Sequence, residues 1–162
     1  MSIVVRKASQ SDKTTLYSLF MEVIKAGEAF MHDEFTTYKE WELFWFGKGV
    51  ATYVAVEEGV LVGSYILKPN NPGVGKHVAN GGYMVESNQK GKGIGVLLGE
   101  HSLGEAKQLG YTAIQFNAVV AVNLPAVKLW KKLGFKIAGT NPKAFRHKTK
   151  GLVDTYSMYR EL

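Results

Sequence analysis

The chain has 162 residues, of which 46% are hydrophobic, and it carries a formal net charge of +6. This length suits one domain with a sizeable core, so we predict a single domain over residues 1–162. We find no apolar run near the roughly 18 residues of a membrane span and no signal-peptide pattern, which predicts a cytoplasmic protein without a membrane partner. The lack of cysteine excludes disulfides and thiol nucleophiles, and four scattered histidines predict no metal site.

The positive net charge suits an anionic ligand, and nucleic acid is one alternative. However, the basic residues do not gather on one helix between base-reading polar groups, and no reader motif is present. Lys128, Lys131 and Lys132 are typical of a solvated helix face. We therefore predict no nucleic-acid partner and expect a smaller anion as the ligand.

The N-terminal third of the chain predicts a short strand followed by two helices. The strand begins at Ile3-Val4-Val5, and the first helix follows a cap at Ser11-Asp12 and ends near Gly27. The second helix is predicted over Tyr38 to Phe46. The link between the helices, from Glu28 to Phe35, mixes acids with aromatics, and it either lines a small pocket or only connects the two helices.

Three strands follow in the middle of the chain. Two of them, from Ala51 to Val56 and from Val60 to Leu67, form a hairpin around the turn residues Glu58-Gly59. A loop from Pro69 to Gly75 comes next. The third strand runs from His77 to Val85, and its alternation places Asn80 on one face together with apolar neighbours.

A glycine-rich stretch, Lys90-Gly91-Lys92-Gly93-Ile94-Gly95, follows that strand. Its glycines let successive backbone N–H groups point into one concavity, and the unpaired first-turn N–H groups of the following helix add to it. The two lysines add full charges, so the sequence predicts a phosphate site at the start of a helix. Neither the P-loop spacing nor the dinucleotide-binding spacing of glycines is matched.

The helix that begins at Ile94 is predicted to end near Leu109. Its residues predicted to face the core are Ile94, Leu97, Leu98 and Leu109. Gly99 and Gly104 lie inside this helix, where each glycine costs roughly 1 kcal/mol relative to alanine. Close packing against another element is the compensation we expect.

The stretch from Tyr111 to Val120 is predicted to be an interior strand, because it is apolar on both faces, as a strand covered by helices should be. Gln115 and Asn117 depart from that pattern. A buried amide without partners is costly, so each must be hydrogen-bonded inside the fold or to a ligand. We assign Gln115 to the fold and Asn117, nearer the carboxyl end of the strand, to the site.

Asn123 is predicted to cap the last helix, with Pro125 tolerated in its first turn. The buried stripe of this helix is Ala126, Leu129, Trp130 and Leu133. A strand from Phe135 to Gly139, a basic loop from Asn141 to Gly151 and a last strand from Val153 to Tyr159 complete the chain.

Two blocks of the sequence resemble the GNAT acetyltransferase superfamily. Lys90 to Gly95 is similar to its motif A, Arg/Gln-x-x-Gly-x-Gly/Ala, and Asn123 to Phe135 is similar to its motif B, Asn-x-x-Ala-x-x-Leu-Tyr-x-x-x-Gly-Phe. Lys90 departs from motif A, and Trp130 stands where many relatives have the tyrosine that protonates the leaving thiolate. The resemblance implies an α/β (α+β) GNAT acyl-CoA N-acyltransferase fold, a mixed, mostly antiparallel sheet of about seven strands with four helices in the order β-α-α-β-β-β-α-β-α-β-β.

The resemblance also implies acetyl-CoA as the co-substrate. Its pyrophosphate is expected on the glycine stretch, and its pantetheine or phosphate arm along Asn123. The predicted coenzyme contacts are Val85, Lys90, Gly91, Lys92, Gly93, Ile94, Gly95, Asn123 and Trp130. The backbone N–H of Val85 is further expected to stabilise the oxyanion while an amine attacks the thioester directly.

A narrower resemblance rests on His77 to Val85, on Gln115-Phe116-Asn117 and on Lys143 to His147. These stretches are similar to the branch that contains the fungal azetidine-2-carboxylate (proline-analogue) acetyltransferases. The branch implies that Asn80 binds the carboxylate of the substrate. It also implies that Asn117 and Asn123 lie along the acceptor and the coenzyme.

These expectations describe an N-acetyltransferase for a small-molecule amine, with an amino or imino acid as one acceptor. The aromatic residues that favour a closed pocket for a small acceptor are Phe30, Phe35, Trp41, Phe44 and Trp45. From the sequence, Asn80 and Phe35 are substrate contacts and Val85 and Asn117 are catalytic, while the general base stays open among Glu34, Glu86 and His32. The alternatives are a protein or peptide acceptor and a non-catalytic acyl-CoA-binding module, which Trp130 motivates, and a homodimer is a further expectation.

Overall fold

The computed structural model describes residues 2–162. The strands in this range are β1 (Ile3–Lys7), β2 (Ala51–Glu57), β3 (Val60–Pro69), β4 (Val78–Val85), β5 (Ala113–Val120), β6 (Lys136–His147) and β7 (Gly151–Glu161). The α-helices are α1 (Lys13–Ala26), α2 (Tyr38–Phe46), α3 (Ile94–Gln108) and α4 (Leu124–Lys132). The strands form a seven-stranded sheet in the order β1-β2-β3-β4-β5-β7-β6, in which β4 and β5 are parallel and the other neighbours antiparallel. This confirms the predicted fold and element order.

Local sequence signals explain most of the element ends. Thr37 and Glu40 form a capping box at the start of α2, and Gly27 ends α1 in the left-handed conformation with φ +67°. Glu58 and Gly59 both have positive φ in the β2–β3 turn, as a two-residue hairpin turn of this kind requires. The predicted cap at Ser11-Asp12 is correct for Asp12, which directly precedes α1, but not for Ser11. The serine that takes part is Ser9, whose amide donates to the Asp12 carboxylate in a short 3-10 turn before α1.

Helices cover the sheet on both faces. On one face α1 and α2 bury a cluster whose largest fully buried members are Trp41, Trp45, Phe20, Leu16 and Ile66. On the other face α3 and α4 bury a second cluster, whose central members are Tyr53, Tyr65, Leu98, Ile114 and Met158. None of the helices within residues 2–162 is long and apolar enough to cross a membrane.

The packing of α3 corrects one expectation and explains one glycine. Leu109 is 47% exposed rather than in the core, because α3 ends one residue before it. A Cβ on Gly99 would lie 2.4 Å from Leu133 Cδ1, so the glycine lets the Leu133 side chain pack closely against α3, and a larger residue would displace it. At Gly104 a Cβ would meet no atom within 4 Å, and packing does not explain that residue.

The predicted basic loop from Asn141 to Gly151 is wrong. Strand β6 continues to His147, and a turn over residues 148–150 joins it to β7. The turn is held by the His147 imidazole, whose Nδ1 accepts from the amides of Thr149 and Lys150 at 3.2 Å. Because β6 is an exposed edge strand with an irregularity between Asn141 and Phe145, it lacks the apolar alternation that marks a strand in sequence.

Candidate functional site

The parallel strands β4 and β5 pair at only two positions, Val78 with Ala113 and Ala79 with Ile114. Beyond this point β4 pairs with β3 alone and β5 with β7 alone. The register between β5 and β7 also shifts between Phe116 and Val119, as at a β-bulge, which redirects the strand. We call the region between the unpaired carboxyl halves of the two strands the β4–β5 opening.

The backbone of β4 turns a row of N–H groups toward this opening. The amide of Glu86 donates to Val62 of β3 at 3.0 Å. Because N–H groups alternate in direction along a strand, the amides of Gly81, Tyr83 and Val85 point away from β3 and toward β5. Val85 therefore presents a backbone donor to the opening, at the end of the strand.

The glycine-rich stretch lies directly after that donor. The carboxylate of Glu86 accepts from the amide of Asn88 at 3.0 Å and caps a short 3-10 turn. Gly91 and Gly93 then adopt left-handed conformations with φ +80° and +82°. A Cβ at either position would meet no atom within 4 Å, so it is the backbone conformation, not space, that favours glycine here.

The start of α3 supplies donors and charge to the same place. Its first helical bond runs from the Leu97 amide to the Gly93 carbonyl at 3.0 Å, so Ile94, Gly95 and Val96 have no helical acceptor for their N–H groups. Lys90 and Lys92 are exposed beside them. Such an arrangement of amides and ammonium groups at a helix N-terminus suits a phosphate.

Asn123 and Trp130 of motif B have different surroundings. Asn123 accepts from the Ala126 amide at 3.4 Å and caps α4, as predicted. Trp130 is only 6% exposed, and its ring lies 4.6 Å from that of Tyr83 and 4.5 Å from that of Phe116. The indole thus packs in the core beneath β4 and β5, and little of its surface is open to a ligand.

Four amide side chains meet at the closed end of the opening. Asn80 and Asn117 each donate to the Asn70 Oδ1, at 2.9 and 2.7 Å, and Gln115 donates to the Asn117 Oδ1 at 3.2 Å. We call Asn70, Asn80, Gln115 and Asn117 the amide cluster. Most of β5 is buried, as predicted, but Asn117 is exposed, so the face of the strand that carries the amide cluster is open at that residue.

Sequence analysis found Asn80 and Asn117 but missed Asn70. The residue directly follows β3 and lies among the turn-forming residues of a loop, where an asparagine is unremarkable. Its importance comes from tertiary structure, since its side-chain oxygen holds residues from two different strands. No signal in a single sequence identifies such a residue.

The aromatic residues between α1 and β2 do not form one pocket. Trp41 and Trp45 are fully buried, whereas Phe35 is 80% exposed, so the predicted closed aromatic pocket is wrong as a single unit. Phe30 and Phe44 are half-buried and contact each other with ring centroids 6.2 Å apart. Phe30 lies on the face of β4 that carries Asn80, because a Cβ on Gly82, two residues further along the strand, would lie 3.1 Å from Phe30.

The three residues considered as a general base also differ in their surroundings. The carboxylate of Glu86 caps its own turn, and Glu34 is exposed. His32 is half-buried, and its ring contacts that of Phe44 at a tilt of 42° with centroids 4.5 Å apart. Burial, and then the positive charge of Lys68, lower the pKa of His32 and keep the imidazole neutral and able to accept a proton.

Residues 15–135 match the family model described as the Acetyltransferase (GNAT) family. The chain belongs to the GNAT acetyltransferase family. A GCN5-related N-acetyltransferase from Kribbella flavida is 40% identical with a TM-score of 0.93, and the match covers 99% of this chain and 98% of that one. The predicted superfamily is therefore confirmed.

Two curated relatives match less completely. N-acetyltransferase aca1 of Schizosaccharomyces pombe is 39% identical over 97 residues, which is 59% of this chain and 46% of that protein. Protein SPT10 of Saccharomyces cerevisiae is 34% identical over 83 residues, 51% of this chain and 13% of that protein. This chain thus matches less than half the length of each of these two relatives. The narrower resemblance to the azetidine-2-carboxylate branch stays a prediction.

A more distant GNAT structure supports the fold alone. A phosphinothricin acetyltransferase from Sinorhizobium meliloti, solved in complex with AcCoA, has a TM-score of 0.88 at 20% identity, and the match covers 100% of this chain and 89% of that one. Both sequence blocks of the GNAT resemblance lie inside the matched residues 15–135. The β6–β7 hairpin lies beyond them.

Proposed function

We propose that the protein is an acetyl-CoA-dependent N-acetyltransferase that acetylates a small-molecule amine, with amino and imino acids as its acceptors. The observation that carries this proposal is the β4–β5 opening. It has the Val85 amide and the glycine-rich stretch at its mouth and the amide cluster at its closed end. An acyl donor with a phosphate arm and a polar acceptor fit these two ends.

The coenzyme supplies an acetyl group on a thioester. In the proposal, its phosphates accept hydrogen bonds from the first-turn amides of α3, with Lys90 and Lys92 nearby and Asn123 along the arm. The amide of Val85 donates to the developing oxyanion. Gly81 and Tyr83 present amides in the same direction and can share that role.

The acceptor amine must be neutral to attack, and the pKa of an α-amino group lies at about 7.7–8.0 even in a peptide. We propose His32, kept neutral beside Phe44, as the base, since Glu86 is engaged in its turn and Glu34 is exposed. Asn80 and Asn117 contact the acceptor in this proposal. The contact of the exposed Phe35 with a substrate stays a prediction, as do a homodimer and the cytoplasmic location.

Trp130 does not prevent this chemistry. An indole N–H is a donor of hydrogen bonds but no acid at neutral pH. A thiol has a pKa of about 8.5, so its thiolate leaves readily, and general acid help contributes typically about 10²–10⁴-fold. We therefore expect turnover with water as the proton source.

The test is thiol release from acetyl-CoA with a panel of amino acids, proline analogues, polyamines and short peptides. We expect at least one amino or imino acid to release thiol well above the rate without acceptor, and the acetylated amine to appear by mass spectrometry. Coenzyme binding without release for any amine would overturn the proposal in favour of a binding module. Release with peptides alone would point instead to a protein acceptor.

Replacing Asn70 by alanine should raise the KM for the acceptor about tenfold. The side-chain amides of Asn80 and Asn117 both lose the oxygen that orients them, and we expect this loss to cost about 1 kcal/mol or more of acceptor binding free energy. The KM for acetyl-CoA should stay unchanged, since the glycine-rich stretch lies at the other end of the opening. Asn71→Ala is the matched control, an exposed neighbour outside the cluster. Equal acceptor KM values for the two variants would contradict the role of Asn70.

A further inference from the structure

A lysine without a carboxylate partner lies on the same face of the sheet as the amide cluster. Lys68 in β3 pairs directly with Asn80 in β4, so the two side chains leave the sheet side by side, with Cβ atoms about 5 Å apart. The Lys68 ammonium lies 4.7 Å from the centroid of the Phe44 ring. No carboxylate within residues 2–162 lies closer than 4.0 Å to it.

The surroundings make an unpaired charge on the Lys68 ammonium energetically unfavourable. Lys68 is half-buried, and burial lowers the pKa of its ammonium. The Phe44 ring offsets only part of the lost hydration, because a cation–π contact is weaker than an ion pair in the same setting. The neighbouring His32 is kept neutral by its own burial and by Lys68, so the imidazole adds no second positive charge.

The amide cluster adds donors of the right kind. Asn80 and Asn117 each use one amide hydrogen on Asn70 and retain a second, since a side-chain amide has two. A planar carboxylate has two oxygens and accepts from an ammonium and an amide at once. One ammonium with neutral amide donors matches a single negative charge.

We propose that Lys68 binds the carboxylate of the acceptor beside Asn80 and thereby selects amino and imino acids over amines without a carboxylate. This inference depends on the proposed acetyl transfer in one respect, namely that the bound carboxylate belongs to the acceptor of the acetyl group. It assigns the charge recognition to a residue of β3 that lies outside both motifs of the family resemblance.

The experiment compares an acid with its amide in binding and in turnover. The pair is the best acceptor of the panel and its carboxamide, or proline and prolinamide where no amine turns over. Binding is measured by calorimetry on protein saturated with coenzyme A, which cannot transfer an acetyl group. The variants are Lys68→Met, Lys68→Arg and, as a charge-matched control, Lys76→Met, whose side chain is exposed.

We expect Lys68→Met to weaken binding of the acid about 10- to 30-fold, the loss of one charge-assisted hydrogen bond. Binding of the amide should weaken less than about threefold, because its neutral carbonyl oxygen can accept from the ammonium but forms no ion pair with it. Lys68→Arg should keep the preference for the acid, and Lys76→Met should change neither ligand. Equal weakening of acid and amide by Lys68→Met would overturn the proposal, as would a wild-type protein that does not prefer the acid.

The two proposals fail separately. If the acid binds better than the amide through Lys68 but no amine releases thiol, acetyl transfer is overturned and the carboxylate site stands. If an amine is acetylated and Lys68→Met leaves the acid-to-amide ratio of kcat/KM unchanged, the carboxylate site is overturned and the transferase stands.

Discussion

Replacing Val85 by proline should lower kcat for acetyl transfer by about 10²–10³-fold, the effect of removing one oxyanion donor. The N–H of Val85 points toward the β4–β5 opening rather than toward β3, so proline deletes the donor without removing a bond of the sheet. The KM for acetyl-CoA should change much less, because the glycine-rich stretch is intact. Steady-state kinetics with the best acceptor of the panel provide the measurement.

Val85→Ala separates the donor from the side chain. Alanine removes most of the half-buried side chain but keeps the N–H, so its kcat should stay close to that of the unmodified protein. Thermal unfolding of both variants shows whether either change disturbs the sheet. If proline and alanine reduce kcat equally while both variants remain folded, the Val85 amide is not the donor, and the amide of Tyr83 or Gly81 takes its place.

The order and type of the elements were predictable because local signals agree with the fold. Helix α2 has the predicted bounds, Tyr38–Phe46, since a capping box begins it and a glycine follows it. The β2–β3 hairpin lies around Glu58 and Gly59, which adopt the conformations expected of such a turn. These features depend on residues a few positions apart, which a single sequence displays directly.

The β6–β7 hairpin was not predictable in the same way. Most of β6 is exposed, and a positive φ at Lys143 interrupts its alternation, so its strand character comes from pairing with β7. Residues around Pro142 and Lys143 have the composition of a loop, and proline is tolerated in an edge strand. The pairing therefore had to be seen in three dimensions.

The residues of the candidate site also fall into those that the sequence indicates and those that only the structure reveals. Asn80 and Asn117 could be identified from the sequence because each interrupts an apolar strand. The glycine-rich stretch could be identified from the spacing of its glycines. Asn70 and Lys68 give no such signal, since one lies in a loop and the other at the end of a strand. The roles we propose for them rest on the register between β3 and β4 and on one shared side-chain oxygen.

Replacing Gly93 by valine should weaken acetyl-CoA binding roughly 100-fold, which corresponds to losing two charge-assisted hydrogen bonds of about 1.5 kcal/mol each. Gly93 has φ +82° and immediately precedes α3. A β-branched residue is strongly disfavoured at this φ, so the backbone must rotate and turn the first-turn amides of the helix away from the phosphates. Calorimetry with acetyl-CoA and with coenzyme A measures the loss.

Gly59→Val is the control for this test, because it introduces the same backbone strain at a position outside the proposed coenzyme site. Gly59 has φ +81°, and at both glycines a Cβ would meet no atom within 4 Å. Both variants should therefore lose stability by a similar amount, about 1–3 kcal/mol from backbone strain, while only Gly93→Val loses affinity for the coenzyme. If the two variants lose affinity equally, strain alone accounts for the effect, and the start of α3 is not where the phosphates bind.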